Sequence, residues 1–292
     1  MSKPKTNNTS LSATTPVSQI HHPTKLSQFS GLQHLPAAEE LPSIVKSFNL
    51  KVEDGIDGTV PAFLHLPNNY HNQQSTAAIL LSGAGGGVSG PSGIYLSMAD
   101  KLASLQNGLP VLRMDYRIPA RNKYCVTDVL AAMDYLSAQY SVNRFVLVGW
   151  SFGGAPVFTV GGRDARVVAC ATIASQTAET DGIREVGRRG VPVLLLHGTG
   201  DRTLSPQCSE RLYDMYGSKG QRKVHYFDGD DHALTRNSVE AEKMLCEFIA
   251  DVAGLNMSND EREIVSKSLV GKDDKIEKMK KGGDLRGPEN IE

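Results

Sequence analysis

A serine lies in a glycine-rich segment that directly follows an apolar, strand-like run. The run Phe145–Val148 leads into the letters GWSFGG at residues 149–154, which contain the pattern GxSxG centred on Ser151. Small residues two positions either side of a serine permit a sharp strand-to-helix turn, because a Cβ there would collide with the neighbouring backbone. N–H groups at the start of the following helix could stabilise an oxyanion. The segment therefore indicates nucleophilic acyl transfer, with Ser151 as the candidate nucleophile.

An acid and a base that could activate this serine follow two later strand-like runs. A serine hydroxyl needs a base to take its proton, and the base needs a carboxylate to fix its tautomer. Asp201 follows the run Val191–Leu196, and His232 follows the run Lys223–Phe227. All three candidates come at the carboxyl ends of predicted parallel strands, the edge where open α/β sheets build their sites.

A second glycine cluster permits a competing interpretation. Residues Gly85–Gly90 match GxGxxG, and Asp115 ends the next predicted strand, as in a dinucleotide site where an acid binds the ribose. The loop is longer than the tight turn that this fingerprint requires, so a nucleotide-binding oxidoreductase is the less favoured alternative.

Alternating strand and helix patterns define the elements that must position these residues. Ile44–Val52 and Thr59–Leu66, separated by turn-forming residues 54–58, predict an antiparallel hairpin. The later predicted strands are Ala77–Leu81, Val111–Met114, Phe145–Val148, Val167–Ile173, Val191–Leu196 and Lys223–Phe227. The predicted helices are Ile94–Leu105, Val126–Tyr140, a short one after Ser151, Pro206–Tyr216 and Val239–Val252. This order predicts an α/β fold with a mainly parallel sheet covered by helices on both faces, over residues 41–254.

The two ends of the chain differ from this region in composition. Residues 1–40 are rich in Ser, Thr, Asn, Gln and Pro without a regular period, which predicts a disordered arm. Residues 255–292 carry many charges of both signs and loosely spaced apolar residues. They predict a charged tail, helical or disordered, that is solvated rather than bound to a partner.

Charge and composition narrow the class of protein. The 31 Lys and Arg residues nearly balance the 32 Asp and Glu residues, which excludes the broad positive field of a nucleic-acid binder and favours a small-molecule partner. No apolar run approaches a membrane span, and the first residues have neither a secretory apolar stretch nor the arginines of an organelle presequence. We therefore predict a cytoplasmic location. The 4 cysteines form no CxxC pair, so neither disulfides nor a metal site is expected, and no cofactor is implied.

With the elbow around Ser151, the His197-Gly198 to Asp201 loop and the Gly229 to His232 loop, the chain resembles the α/β-hydrolase superfamily over roughly residues 44–252. The resemblance implies that Ser151 is the nucleophile, His232 the general base and then acid, and Asp201 its carboxylate partner. It implies backbone oxyanion donors at Phe152 and at Ala84 or Gly85. Many members have His-Gly where this chain has Ser82-Gly83, which leaves the choice between the last two donors open.

Other residues compete for these roles. Asp230 and Asp231 adjoin His232, but the order of the fold favours Asp201, and the other two are expected to be solvated. We expect His197 to be structural, His225 to pack or lie on the surface, and Trp150 to pack under the elbow.

The resemblance also limits the kind of hydrolase. Only residues 174–190 separate two strands between which the superfamily often inserts a cap, so a minimal lid and an open site are implied. Small or medium esters or thioesters are the expected substrates, in a branch like the dienelactone hydrolases or the serine peptidases, although dienelactone hydrolase proper has Cys where this chain has Ser151. A catalytically silent receptor or scaffold, with the charged tail as its contact, is the main alternative.

Overall fold

A mainly parallel β-sheet forms the centre of the molecule. The computed structural model describes residues 25–36, 41–55, 58–70 and 75–286. Within them the strand order is β1-β2-β4-β3-β5-β6-β7-β8, with antiparallel pairing of β1 to β2 and of β2 to β4 and parallel pairing elsewhere. The strands are β1 (Ser43–Val52), β2 (Gly58–Pro67), β3 (Thr76–Leu81), β4 (Val111–Met114), β5 (Arg144–Trp150), β6 (Val167–Ile173), β7 (Val193–Gly198) and β8 (Arg222–Phe227).

Helices cover both faces of this sheet. They are α1 (Ile94–Ser104), α2 (Asn122–Tyr140), α3 (Gly154–Gly161), α4 (Gly182–Arg188), α5 (Gln207–Tyr216), α6 (Ser238–Ala253), α7 (Asn259–Ser266) and α8 (Lys275–Gly282). In the central strand β5, Phe145 and Leu147 join the core beneath α2, α3 and α5, whereas Val146 and Val148 join the core beneath α1 and α6. A parallel strand buried on both faces reads as a continuous apolar run, which explains the composition of β3 and β5. None of the helices in the described part of the chain has the length and apolar character to cross a membrane.

The predicted fold class is confirmed, but several element ends differ and α4, within residues 174–190, was not predicted. β7 continues past the predicted Leu196 because His197 and Gly198 pair with Tyr226 and Phe227 of β8. The predicted hairpin is present, although residues 56 and 57 of its turn lie outside the described residues.

The predicted disordered arm is wrong for residues 25–36. Leu26–Phe29 form a short 3-10 helix, and Phe29, Leu32 and Leu35 are buried. Three apolar side chains at three-residue spacing share one side of this segment, a local pattern that the polar composition of residues 1–40 hides. Residues 1–24 and 37–40 of the predicted arm lie outside the described residues.

The prediction of a solvated tail is also wrong. α7 and α8 pack against the domain, with Val265, Val270 and Met279 buried. Most of their charged residues face outward, as in the exposed pair between Glu277 and Lys281, whereas Lys275 is buried and donates to the carbonyl oxygen of Thr235. A short amphipathic helix can pack through a few buried apolar side chains. The loosely spaced apolar residues of this segment are therefore enough to attach both helices to the domain. Residues 287–292 lie outside the described residues.

Candidate active site

Ser151 occupies a strained turn at the carboxyl end of β5. Its φ is 53°, a conformation that non-glycine residues rarely adopt, and only 4% of the residue is exposed. A Cβ at Gly153 would lie 2.6 Å from the carbonyl oxygen of Leu81, and one at Gly149 would meet the carbonyl oxygen of Gly153. The two glycines therefore allow α3 to start directly after the turn, close to the end of β3.

His232 and Asp201 are joined by a short hydrogen bond beside this turn. The distance from His232 Nδ1 to Asp201 Oδ2 is 2.6 Å, and both side chains are buried. Trp150, the residue before Ser151, donates its indole N–H to the carbonyl oxygen of His232 at 2.9 Å, and the two rings lie 5.3 Å apart. Trp150 thus packs under the elbow, as expected, and also fixes the histidine loop against it.

Asp201 also contacts a second buried histidine. His197 Nε2 lies 3.1 Å from Asp201 Oδ2 and 3.1 Å from the carbonyl oxygen of Leu204, while its Nδ1 lies 2.7 Å from Ser209 Oγ. Because Nε2 faces two acceptors, the neutral Nε2–H tautomer, accepting at Nδ1 from the serine hydroxyl, satisfies every contact. His197 is therefore structural, as expected, but its contact with Asp201 could not be foreseen from its position in the chain.

Hydrogen bonds hold Asp201 in its ionised form. Burial alone would raise its pKa, but the hydrogen bonds from His197 and His232, together with the N–H group of Leu204, move the pKa well below its usual value. The other carboxylate oxygen accepts from the N–H groups of Thr203 and Leu204 at 2.8 and 2.9 Å. Asp201 can therefore stabilise a cationic imidazole at His232.

The expectation that Asp230 is a solvated loop charge is wrong. Its side chain is buried and accepts hydrogen bonds from the N–H groups of Arg236 and Asn237 and from the Asn237 amide. A carboxylate beside several free N–H groups can satisfy them all at once, so it shapes the loop between β8 and α6. Asp230 thus supports the loop that carries His232. Among the described residues, the side chain of Asp230 makes no hydrogen bond to the His232 ring.

The loop after β3, which contains Ala84 and Gly85, lies against the elbow. Tyr116 donates its hydroxyl to the carbonyl oxygen of Ser82 at 3.1 Å, and its ring packs edge-on against that of Phe152 at 6.2 Å. The predicted oxyanion donors therefore come from two segments that are in contact.

The loop after β3 also contains the GxGxxG match at Gly85–Gly90, but this glycine loop does not have the form of a dinucleotide-binding site. Asp284 of the tail is buried against it and accepts from the N–H groups of Ser89 and Gly90 at 3.0 and 2.8 Å. Asp115, the residue that would bind a ribose, accepts from the Gly87 N–H at 2.8 Å and pairs with Arg286 at 2.7 Å. The chain's own carboxylates thus occupy the groups that a pyrophosphate and a ribose would need.

The fold and the elbow define an α/β hydrolase. Residues 113–261, just over half of the chain, match the dienelactone hydrolase family. The chain belongs to this family. No protein of curated function matches the sequence.

Solved structures with the same fold share little sequence with the chain. Est1E from Butyrivibrio proteoclasticus is 19% identical, with a TM-score of 0.54, over 70% of this chain and 99% of that one. A dienelactone hydrolase from Anabaena variabilis is 15% identical, with a TM-score of 0.58, over 71% and 98%. An α/β serine hydrolase without lid from Xanthomonas campestris is 17% identical, with a TM-score of 0.55, over 73% and 97%. At these identities the likeness concerns the fold.

Proposed function

We propose that the protein hydrolyses small or medium esters or thioesters through Ser151, His232 and Asp201 by way of an acyl-enzyme. The observation that carries this proposal is the 2.6 Å hydrogen bond between His232 and Asp201 next to the positive-φ turn of Ser151. A strained serine beside a carboxylate-bound imidazole is the arrangement that nucleophilic acyl transfer requires. With a net charge of −1, the protein has no excess of positive charge that would attract a polyanionic substrate.

The proposed reaction proceeds in two halves. His232, held at Nδ1 by Asp201, takes the Ser151 proton at Nε2 while the serine oxygen attacks the substrate carbonyl. The tetrahedral intermediate then collapses, His232 gives the proton to the leaving alcohol or thiol, and Ser151 carries the acyl group. Water, deprotonated by His232, attacks this acyl-enzyme. His232 then returns the proton to the Ser151 oxygen, which releases the acid and the free serine.

We propose the N–H group of Phe152 and that of Ala84 or Gly85 as the oxyanion donors. The contact between the β3 loop and the elbow supports this pairing, since Gly153 lies against the carbonyl oxygens of Leu81 and Ser82. Donors fixed before the reaction need no reorganisation when charge develops on the carbonyl oxygen.

The connection between β6 and β7 supports a substrate of small or medium size. Residues 174–190 contain one short helix, α4, and form no separate cap over the sheet edge. The N–H of Gln176 in this connection donates to the carbonyl oxygen of Ser151 at 3.3 Å, so the segment stays close to the elbow. We also propose a cytoplasmic location, in keeping with 4 cysteines that are all free.

Labelling with a fluorescent fluorophosphonate, read by intact mass, tests the nucleophile. The wild-type chain should gain one label, and Ser151→Ala should gain none. Hydrolysis of p-nitrophenyl acetate and butyrate should fall at least a thousandfold in Ser151→Ala and in His232→Gln, because the three residues act as a unit.

His225→Gln is the matched control for the base, since His225 lies within β8 and packs on Phe227 at 4.6 Å. It should retain wild-type rates. Labelling of Ser151→Ala would contradict the proposed triad. An equal loss of hydrolysis rate in His232→Gln and His225→Gln would also contradict it.

A further inference from the structure

The last described turn of the tail makes a dense set of contacts with the β3 loop. Asp284 accepts from Ser82 Oγ at 2.5 Å and from the N–H groups of Ser89 and Gly90. The carbonyl oxygen of Gly282 accepts from the Val88 N–H at 3.0 Å. One short piece of the tail therefore holds both ends of the loop that carries Ala84 and Gly85.

The middle of the same loop is held through Arg286. Its guanidinium pairs with Asp115, whose other oxygen accepts from the Gly87 N–H. Its backbone crosses directly over Gly85, where any Cβ would overlap the Arg286 carbonyl group. The glycine at position 85 is thus required by the close approach of the tail.

Ser82 gives this arrangement its particular meaning. Its hydroxyl donates to a carboxylate 202 residues further along the chain. A short side chain leaves room for Asp284, which then reaches the N–H groups of Ser89 and Gly90 as well. The anchor of the loop is supplied by the tail.

We propose that Asp284 is a positioning residue that sets the oxyanion loop, so that residues 279–286 are part of the active-site structure. This inference rests on the proposed function, since the loop matters for rate only if Ala84 or Gly85 serves the oxyanion. Arg113, which lies buried beneath the loop, donates to the Val88 carbonyl oxygen at 2.9 Å and so holds the same loop from its other side.

The test compares Asp284→Ala with Val265→Ala in the full-length protein at pH 8. Val265 is a buried residue of α7 whose loss weakens the packing of the tail without touching the β3 loop. Asp284→Ala should lower kcat for p-nitrophenyl acetate and the rate constant of fluorophosphonate labelling about ten- to hundredfold, with KM changed less than threefold. This is below the ~10²–10³-fold effect of deleting an oxyanion donor, because the donor is displaced and not removed.

Two further variants separate positioning from general loosening. Asp284→Asn keeps an oxygen acceptor and should recover part of the lost kcat. Ser82→Ala combined with Asp284→Ala should be no slower than Asp284→Ala alone, because both changes break one hydrogen-bonded unit. The kcat of Val265→Ala should stay within twofold of wild type. An equal kcat for Asp284→Ala would overturn the proposal.

Hydrogen exchange distinguishes this failure from a failure of the proposed function. If the wild-type protein shows no Ser151-dependent labelling, the hydrolase proposal fails. Hydrogen exchange then tests by itself whether Asp284 anchors the β3 loop. The amides of Val88, Ser89 and Gly90 should then exchange at least tenfold faster in Asp284→Ala than in Val265→Ala. Equal exchange in the two variants would show that Asp284 does not hold the loop.

Discussion

Asp201 receives two histidines on one carboxylate oxygen, and this sharing determines what each partner contributes. His232 approaches at 2.6 Å and His197 at 3.1 Å. In the proposed mechanism only His232 exchanges protons with the substrate. His197 is bonded on both nitrogens to protein groups, so it can act only by orienting Asp201 and lowering its pKa.

Replacing His197 should therefore slow the reaction without preventing it. We expect His197→Ala to lower kcat about tenfold with little change in KM, because Asp201 loses one of its orienting donors. His197→Gln can still donate to Asp201 and should restore part of the rate. Steady-state kinetics with p-nitrophenyl butyrate measure both, with His225→Ala as control. Unchanged kcat in His197→Ala would mean that Thr203, Leu204 and His232 orient Asp201 sufficiently.

Asp284 should give the protein an unusual dependence of stability on pH. Burial raises its pKa from 3.8 to about 7, against the lowering effect of its hydrogen bonds from Ser82, Gly90 and Ser89, and the neighbouring Asp115 adds to the rise. Between these two pH values the folded state keeps a proton that the unfolded state has released. The free energy of unfolding contributed by this residue therefore falls as pH rises from about 4 to 7.

Comparison with Asp284→Asn isolates this contribution and its coupling to neighbouring charges, because the groups that are not coupled to Asp284 titrate equally in both proteins. Urea unfolding at several pH values between 4.5 and 8 should show the wild type losing roughly 2–4 kcal/mol relative to the variant, at about 1.4 kcal/mol per pKa unit. A constant difference over this range would mean that Asp284 titrates near its ordinary pKa. Arg113 and Tyr95, the other charged or titratable groups coupled to Asp284, are present in both proteins.

At the scale of elements, α1 and α6 are joined to the tail by a buried ion pair. Lys101 of α1 lies 2.8 Å from Glu242 of α6, and its ammonium also donates to the carbonyl oxygens of Val265 and Lys267. Val265 is the next-to-last residue of α7, and Lys267 is the first residue beyond it. One lysine thus forms an ion pair with a buried carboxylate and donates to the carbonyl end of a helix at the same time.

Removing Lys101 should destabilise the protein strongly. Lys101→Met leaves Glu242 buried without its cation, which typically costs about 3–5 kcal/mol. Lys243→Met removes a partly exposed lysine that lies 3.7 Å from the exposed Glu240, and it should change the free energy of unfolding much less. Urea unfolding at pH 7 compares the two. Equal stabilities would contradict the assignment of Lys101 as an anchor of the tail.

At the scale of the whole molecule, the two ends of the described chain meet over the glycine loop. Phe29 and Leu32 of the N-terminal segment, Val88 of the loop and Val270 of the tail belong to one small apolar core. The Arg286 guanidinium lies 5.8 Å from the Phe29 ring. Segments about 240 residues apart in sequence therefore stabilise the same loop.

Phe29 should be the main contributor from the N-terminal segment. It is 2% exposed and packs edge-on against Phe63 at 6.3 Å, so Phe29→Ala should cost about 3 kcal/mol. Leu26 of the same 3-10 helix is only partly buried, and Leu26→Ala should cost clearly less. Thermal and urea unfolding measure both. A Phe29→Ala protein as stable as Leu26→Ala would show that the segment contributes little to the fold.

The amino-acid sequence alone determined the sheet, most of the helices that cover it and the order of the candidate triad. Continuous apolar runs and the small residues around Ser151 are local patterns whose meaning depends on neighbours along the chain. The buried roles of Asp230, Asp284 and the two ends of the described chain depend on contacts between distant segments. A carboxylate looks the same in sequence whether water or buried N–H groups surround it, so only the tertiary structure decided which charges lie inside.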